Sequence, residues 1–144
     1  MVEAMINYWA VFVAAIMSMG LGAFWYSPVG FGKPWMKLMG ITEKDIVDAK
    51  KKGMMKSGMA KSYGLMFVGS LVTMYVLAHF VDYVGATTTN AALQLGGWIW
   101  VGFLAPYALS SVLWEKKPWA LYFINVGYVL VNLLIGAVIL ALWA

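Results

Sequence analysis

The chain has 144 residues, 63% of them apolar and 11% charged, against roughly 45–50% and 25% in a soluble domain. This composition excludes a water-soluble fold, and the length points to a single domain. Cys and Arg are absent, His occurs once and the net charge of +4 rests on Lys. Disulfides, iron–sulfur ligation, thiolate zinc sites and cysteine nucleophiles are therefore excluded, and no metal or cofactor is expected.

Hydrocarbon about 30 Å thick is crossed by about 20 apolar residues in a helix. Four stretches meet that requirement: 5–26, 63–84, 93–113 and 119–143. The expected fold is all-α, a polytopic membrane protein of four transmembrane helices with a short cytoplasmic amphipathic helix between the first two. Barrel strands alternate in polarity over about ten residues, and VFVAAIM and VLVNLLIGAVILAL do not. No Lys precedes the first span, and Trp25, Tyr26 and a Lys-rich stretch follow it, so it reads as retained rather than as a cleaved signal.

Lys33, Lys37, Lys44, Lys50, Lys51, Lys52, Lys56 and Lys61 fall between spans one and two, and Lys116 and Lys117 between spans three and four. By the positive-inside rule the loops 27–62 and 114–118 are cytoplasmic and both termini outside. Aromatic residues mark the same boundaries. Tyr8, Trp9, Tyr83, Trp98 and Trp143 fall at the outer ends, and Trp25, Tyr26, Tyr63, Trp114, Trp119 and Tyr122 at the inner ends, where amphipathic rings suit headgroup depth. The rival reading gathers the eight Trp residues into a binding cage.

The first connection begins SPVGFGKPW. Pro28, Gly30, Gly32 and Pro34 predict an ordered turn rather than a helix, with Phe31 and Trp35 dipping into the interface. Thr42 then offers an N-cap with Asp45 three residues on, and Glu43 and Asp45 suit the positive end of a helix over 46–56, weakened by Gly53 and Gly58. Eight Lys against Glu43, Asp45 and Asp48 leave the connection at +5. Lys50, Lys51, Lys52 and Lys56 are candidates for anionic lipid headgroups, at about 1 kcal/mol per Lys near the surface; the plainer reading is that they fix topology. Nucleic acid is not an expected partner, because neither Arg nor a stacking platform accompanies the Lys run.

The second and third connections are short, which predicts that spans two, three and four each lie antiparallel beside the next. Span two carries Tyr75, His79 and Asp82 on one stripe. Asp82 could orient His79, as a proton relay or pH-sensitive gate, or the two could be a solvated pair near the outer interface. Span four carries Asn125, Tyr128, Asn132 and Gly136 on another stripe. At 1.5 Å per residue from Trp119, Asn125 lies about 9 Å and Asn132 about 20 Å into the membrane. Amides there either fix helix pairing or line a path. Ala14, Ser18 and Gly22 form a ridge of small residues in span one, and Gly102 with Pro106 predicts a kink in span three. Four helices leave little room for a private cavity, so a sizeable path is expected between copies, and a homo-oligomer is favoured.

Trp25, Tyr26, Ser27, Pro28, Phe31, Gly32, Lys33, Trp35 and Met36 form a WYSP-x-x-FG-x-x-W element. Trp114, Glu115, Pro118 and Trp119 follow it, then Ile124, Asn125, Gly127 and Tyr128. Together these make the chain, from about residue 7 to 136, resemble a family of small four-span bacterial membrane proteins classed as a domain of unknown function. The resemblance implies the four-span architecture and a bacterial inner-membrane setting, and no activity. It directs attention to the inner face, where Trp25–Trp35 and Trp114–Trp119 are expected to meet and Glu115 to pair with Lys33, Lys37 or Lys116.

Catalysis is disfavoured: the acids form no recognisable pair, and neither a nucleophile elbow nor a phosphate loop is present. Two classes stay open. One is an oligomeric small channel or transporter for an ion or small polar solute. The other is a non-catalytic adaptor or packing protein that binds lipid or another membrane protein.

Overall fold

The computed structural model describes residues 5–27, 29–40, 44 and 54–143, and among them every regular element is helical. In chain order these are α1 (Tyr8–Trp25), α2 (Gly32–Met39), α3 (Met54–Tyr83), α4 (Thr89–Ile99), a π-helical turn (Trp100–Leu104), α5 (Ala105–Ala108), α6 (Ser110–Leu113) and α7 (Trp119–Leu142). Four helical spans, Tyr8–Trp25, Lys61–Tyr83, Thr89–Leu113 and Trp119–Leu142, are long and apolar enough to cross a membrane. The molecule is thus an all-α, multi-pass membrane protein.

Asn7 starts the bundle and ties it together. Its Oδ1 accepts from the Trp9 and Ala10 N–H groups as the cap of α1, and its Nδ2 donates to the Trp143 carbonyl at 2.7 Å. The chain's first and last described segments therefore meet at one end, and the two lysine-bearing connections lie at the other.

The connection after α1 departs from the expected turn. The turn itself is short: the Phe31 N–H donates to the Trp25 carbonyl at 2.6 Å, and the Gly32 N–H to that of Ser27 at 2.8 Å. Helix α2 then begins at Gly32 and holds Pro34 in its first turn, where a missing N–H costs nothing because that group has no intrahelical acceptor. Lys33 and Lys37 are exposed on α2, while Trp35 is half-buried. The expected helix over 46–56 falls mostly outside the described residues, as do Pro28, Thr42, Glu43, Asp45, Lys50, Lys51, Lys52 and the side chain of Lys56. From Met54, α3 runs into the second span as one element.

The α-helical pattern of span three is interrupted just before Pro106. Pro106 has no N–H to offer the Gly102 carbonyl, and the helix widens to a π turn in which the Ala105 N–H reaches back to the Trp100 carbonyl. Side chains of α7 and of the π turn itself use the disturbed region. The Tyr122 hydroxyl donates to the Ala105 carbonyl at 2.8 Å, and the Trp100 indole N–H donates to the Val126 carbonyl at 2.8 Å.

Helix α7 is the hub, packed along α1, α3 and α4, and α1 and α3 also pack on each other. Span three does not line up beside span two as its short connection suggests. It docks on α7 instead, with Gly96 against Leu133, and is the least buried of the four spans. The apolar core gathers Ala10, Val11, Ala14, Met74, Leu77, Ala78, Val81, Leu133, Ala137, Leu140 and Ala141, in the half of the bundle nearer Asn7 and Trp143. Small residues there bring α1, α3 and α7 close, so Ala14 and Ser18 of the predicted ridge pack within one chain, at 0% and 2% exposure.

Candidate functional site

At the lysine-bearing end α1, α2, α3 and α7 diverge and leave a cleft of about 640 Å³, lined by Tyr26, Trp35, Met66, Lys117, Asn125 and Tyr128 among others. This lies in the range of 300–1,000 Å³ usual for small-molecule sites. The four helices thus leave an open cleft of this size at one end rather than an enclosed cavity. The helices separate because aromatic side chains, rather than alanines, occupy the facing positions in this half.

The floor is polar. The Tyr128 hydroxyl donates to the Ser18 carbonyl at 3.0 Å, and the Ser18 hydroxyl lies 3.4 Å from both the Tyr128 and the Ser70 hydroxyls. Ser18 sits about 10 Å along the helix axis from Trp25 and about 15 Å from Tyr8, so these groups lie near the middle of the span.

The WYSP-x-x-FG-x-x-W element builds the wall. The Trp25 indole N–H donates to the Ile124 carbonyl at 2.9 Å, and the Tyr26 hydroxyl donates to Asn125 Oδ1 at 2.8 Å. Phe31 packs on Trp25 with ring centroids 4.8 Å apart, Trp35 on Tyr26 at 5.4 Å, and Tyr26 on Tyr128 at 5.7 Å. The Ser27 hydroxyl donates to the Phe24 carbonyl at 2.7 Å and closes the turn. Gly32 is required there, because a Cβ on it would strike the Tyr26 and Ser27 carbonyls. The element is thus a clamp that folds α2 back onto α7.

Tyr26 lies just past the end of α1. Burial first, and the neighbouring Tyr128 second, push its phenol up to about 12, so that it stays a donor to Asn125 into the alkaline range. At the mouth, Lys117 Nζ lies 3.6 Å from Glu115 Oε2, with both side chains about half exposed, so the pair contributes little stability. Glu115 thus meets Lys117 rather than Lys33, Lys37 or Lys116. Nor do Trp114 and Trp119 meet the clamp. They are 83% and 51% exposed, and the clamp lands one to two turns further along α7, on Ile124, Asn125 and Tyr128.

The span-two stripe is elsewhere. Tyr75 is exposed and stacks on Tyr8 at 6.3 Å, His79 Nδ1 bonds to the Tyr75 carbonyl at 2.8 Å, and Asp82 Oδ2 accepts from the Met5 N–H at 3.3 Å. The structure brings Asn125 and Tyr128 into the cleft and leaves Asn132 one turn deeper, 9% exposed, its Oδ1 without a hydrogen-bond partner among the described residues. The sequence does not single out Ser70 or Met66, and it marks Tyr63 and Lys117 only as an interface ring and a topology charge. Ser70 and Ser18 carry a faint signal as hydroxyls in apolar spans, but in Ser18 small size masks it. Among the described residues no group of three His, Asp or Glu is placed to hold a metal ion.

A bundle of four spans with a cleft opening at one end defines a polytopic membrane protein with a one-sided pocket. Residues 9–141 match the family model described as "Protein of unknown function (DUF1761)", and the chain belongs to that family. No curated protein and no solved structure matches it.

Proposed function

We propose that the protein is a small channel or transporter for a small polar solute, with a path that opens toward the lysine-bearing side and closes halfway across the bilayer. One observation carries this reading: the cleft of about 640 Å³ descends past Lys117, Asn125 and Tyr26 to the Ser18 and Tyr128 hydroxyls. Polar side chains at membrane depth face a bundle interior or a water-filled cavity. Here they do so at the bottom of an open cleft.

The absence of Cys from the chain makes the test direct. Asn125→Cys in reconstituted vesicles is expected to react with a membrane-impermeant thiol reagent from the lysine-bearing side, and Ala14→Cys to stay unreactive. Labelling at Asn125 no faster than at Ala14 overturns the reading.

Binding of a lipid tail is the second reading, favoured by Met19, Met39, Met66 and Leu121 along the same cleft. Thioethers adapt to irregular apolar ligands. This reading predicts a stoichiometric lipid retained after gentle extraction, seen by mass spectrometry, and protection of Asn125→Cys by that lipid.

The ten Lys fall at one end of the spans, which supports a cytoplasmic lysine-bearing side with the termini outside; the resemblance carried by the WYSP element supports a bacterial inner membrane. Exposed Lys33 and Lys37 on α2 suit anionic headgroups. Trp98, Phe103 and Tyr107, at 74%, 75% and 81% exposure, leave span three to lipid or to a second copy in a homo-oligomer.

A further inference from the structure

We infer that α1, α3 and α7 enclose a closed path for small uncharged polar solutes through a single protomer, and that Met74 is its gate. The inference rests on the cleft being the path's open half. A second, smaller cavity of about 80 Å³ lies at the opposite end of the same three helices, lined by Asn7, Ala10, Ala78, Asp82 and Leu140 among others. At about 30 Å³ per molecule it has room for two or three waters. Between the two cavities the seam is dry. Ala14 and Met74 are each 0% exposed and Leu77 is 3% exposed.

Two features of that dry layer are unlike ordinary packing. Met74 is seated in α7 only because residue 136 is glycine: a Cβ there would fall 2.7 Å from the Met74 Sδ and 2.8 Å from its Cε. A flexible thioether in a socket without a side chain can swing out with no backbone movement. The second feature is Asn132. It lies four residues from Gly136 and four from Tyr128, on the face of α7 that carries Met74 on one side and the Ser18 contact on the other. Its buried Oδ1 has no hydrogen-bond partner among the described residues, and leaving a buried acceptor unpaired is unfavourable. The packing of helix on helix does not explain that cost. A solute or water passing a displaced Met74 would meet this oxygen next after the Ser18 and Tyr128 hydroxyls, and Asn7 beyond it.

The chemistry along the seam selects the solute. Hydroxyls and amides offer donors and acceptors, and the charged groups that line the two cavities are Lys117 and Asp82, one in each. An ion would therefore cross the dry layer without a counter-charge, at high cost. The class that fits is a neutral polyol or amide of glycerol or urea size, moving down its gradient.

The test is glycerol and urea permeability of vesicles carrying the full chain, read by stopped-flow light scattering, with K⁺ leak measured in parallel. Met74→Ala is expected to raise glycerol flux about tenfold, the factor for about 1.4 kcal/mol off a barrier, and to leave K⁺ leak at the level of empty vesicles. Adding Asn132→Leu to that variant is expected to abolish most of the gain. Met74→Val, which retains more volume, is measured alongside so that collapse of the alanine variant does not silence the experiment. Monodisperse, helical Met74→Ala or Met74→Val protein with wild-type flux overturns the gate, as does a K⁺ leak that rises with the glycerol flux. If Asn125→Cys labels from the lysine-bearing side while neither Met74 variant passes solute, the gate falls and the cleft stands; if Asn125→Cys does not label, both fall.

Discussion

The two halves of the bundle solve the same packing problem with different residues. Toward Asn7 and Trp143, alanines and one seated methionine let α1, α3 and α7 close into a dry layer. Toward the lysines, Trp25, Tyr26, Phe31, Trp35 and Tyr128 hold the helices apart and tie them by indole and phenol hydrogen bonds. Side-chain volume at facing positions thus decides where the interior is solid and where it is open. Stability is expected to reside in the first half and recognition in the second.

Substitutions can break or sharpen that contrast. The largest effect is expected in the dry half: Met74→Ala removes a fully buried side chain and is expected to lower stability by about 3 kcal/mol, measured by thermal unfolding in detergent. Next comes Gly32→Ala, whose Cβ meets backbone carbonyls. A cost of about 2 kcal/mol is expected, and the tryptophan emission maximum should shift red as α2 lifts and Trp35 is uncovered. Equal costs at Gly32 and at Gly97, where a Cβ would meet nothing within 4 Å, would show that the clamp is not docked.

Trp25→Phe removes the N–H donor to Ile124 and the part of the indole that lies against Gly127, for about 1–2 kcal/mol. A smaller effect is tied to pH. The Tyr26 phenol, raised to about 12 from 10.0 in the folded chain, binds its proton more tightly there than when unfolded. Its contribution is complete below pH 10 and is lost as pH rises through about 12. Absorbance at 295 nm is expected to show one late-ionising phenol that Tyr26→Phe removes. Least of all, Tyr75→Phe on the exposed stripe is expected to change stability by less than about 0.5 kcal/mol. A large loss there would move weight from the cleft to the outer surface.

The sequence made the spans and the sidedness of the lysines legible, because twenty apolar residues in a row admit few other structures and Lys placement is written in one dimension. A disturbance of span three near Gly102 and Pro106 is legible for the same local reason, one missing N–H acting on its own helix, and it takes the form of a π turn. Helix α2 is not legible as a helix, since Pro28, Gly30, Gly32 and Pro34 look like punctuation until the first helical turn is seen to tolerate Pro34. The polar stripe Asn125, Tyr128 and Asn132 could be drawn on α7 from spacing alone, but not which neighbour it faced.

What the chain's order of residues determined, then, was everything set by hydropathy and by local backbone chemistry: four spans, their approximate lengths, the interruption near Pro106 and the charge asymmetry of their ends. Only the tertiary structure decided that span three docks on α7 rather than on span two. It also decided that the WYSP element clamps α7 at Ile124 and Asn125, and that Ser18 and Tyr128 meet below a cleft while Met74 closes the layer beneath. The physical reason is that helix pairing inside a membrane lacks a hydrophobic driving force of its own. Partners are chosen by the fit of small against large side chains across three helices at once, and no single helix carries that information.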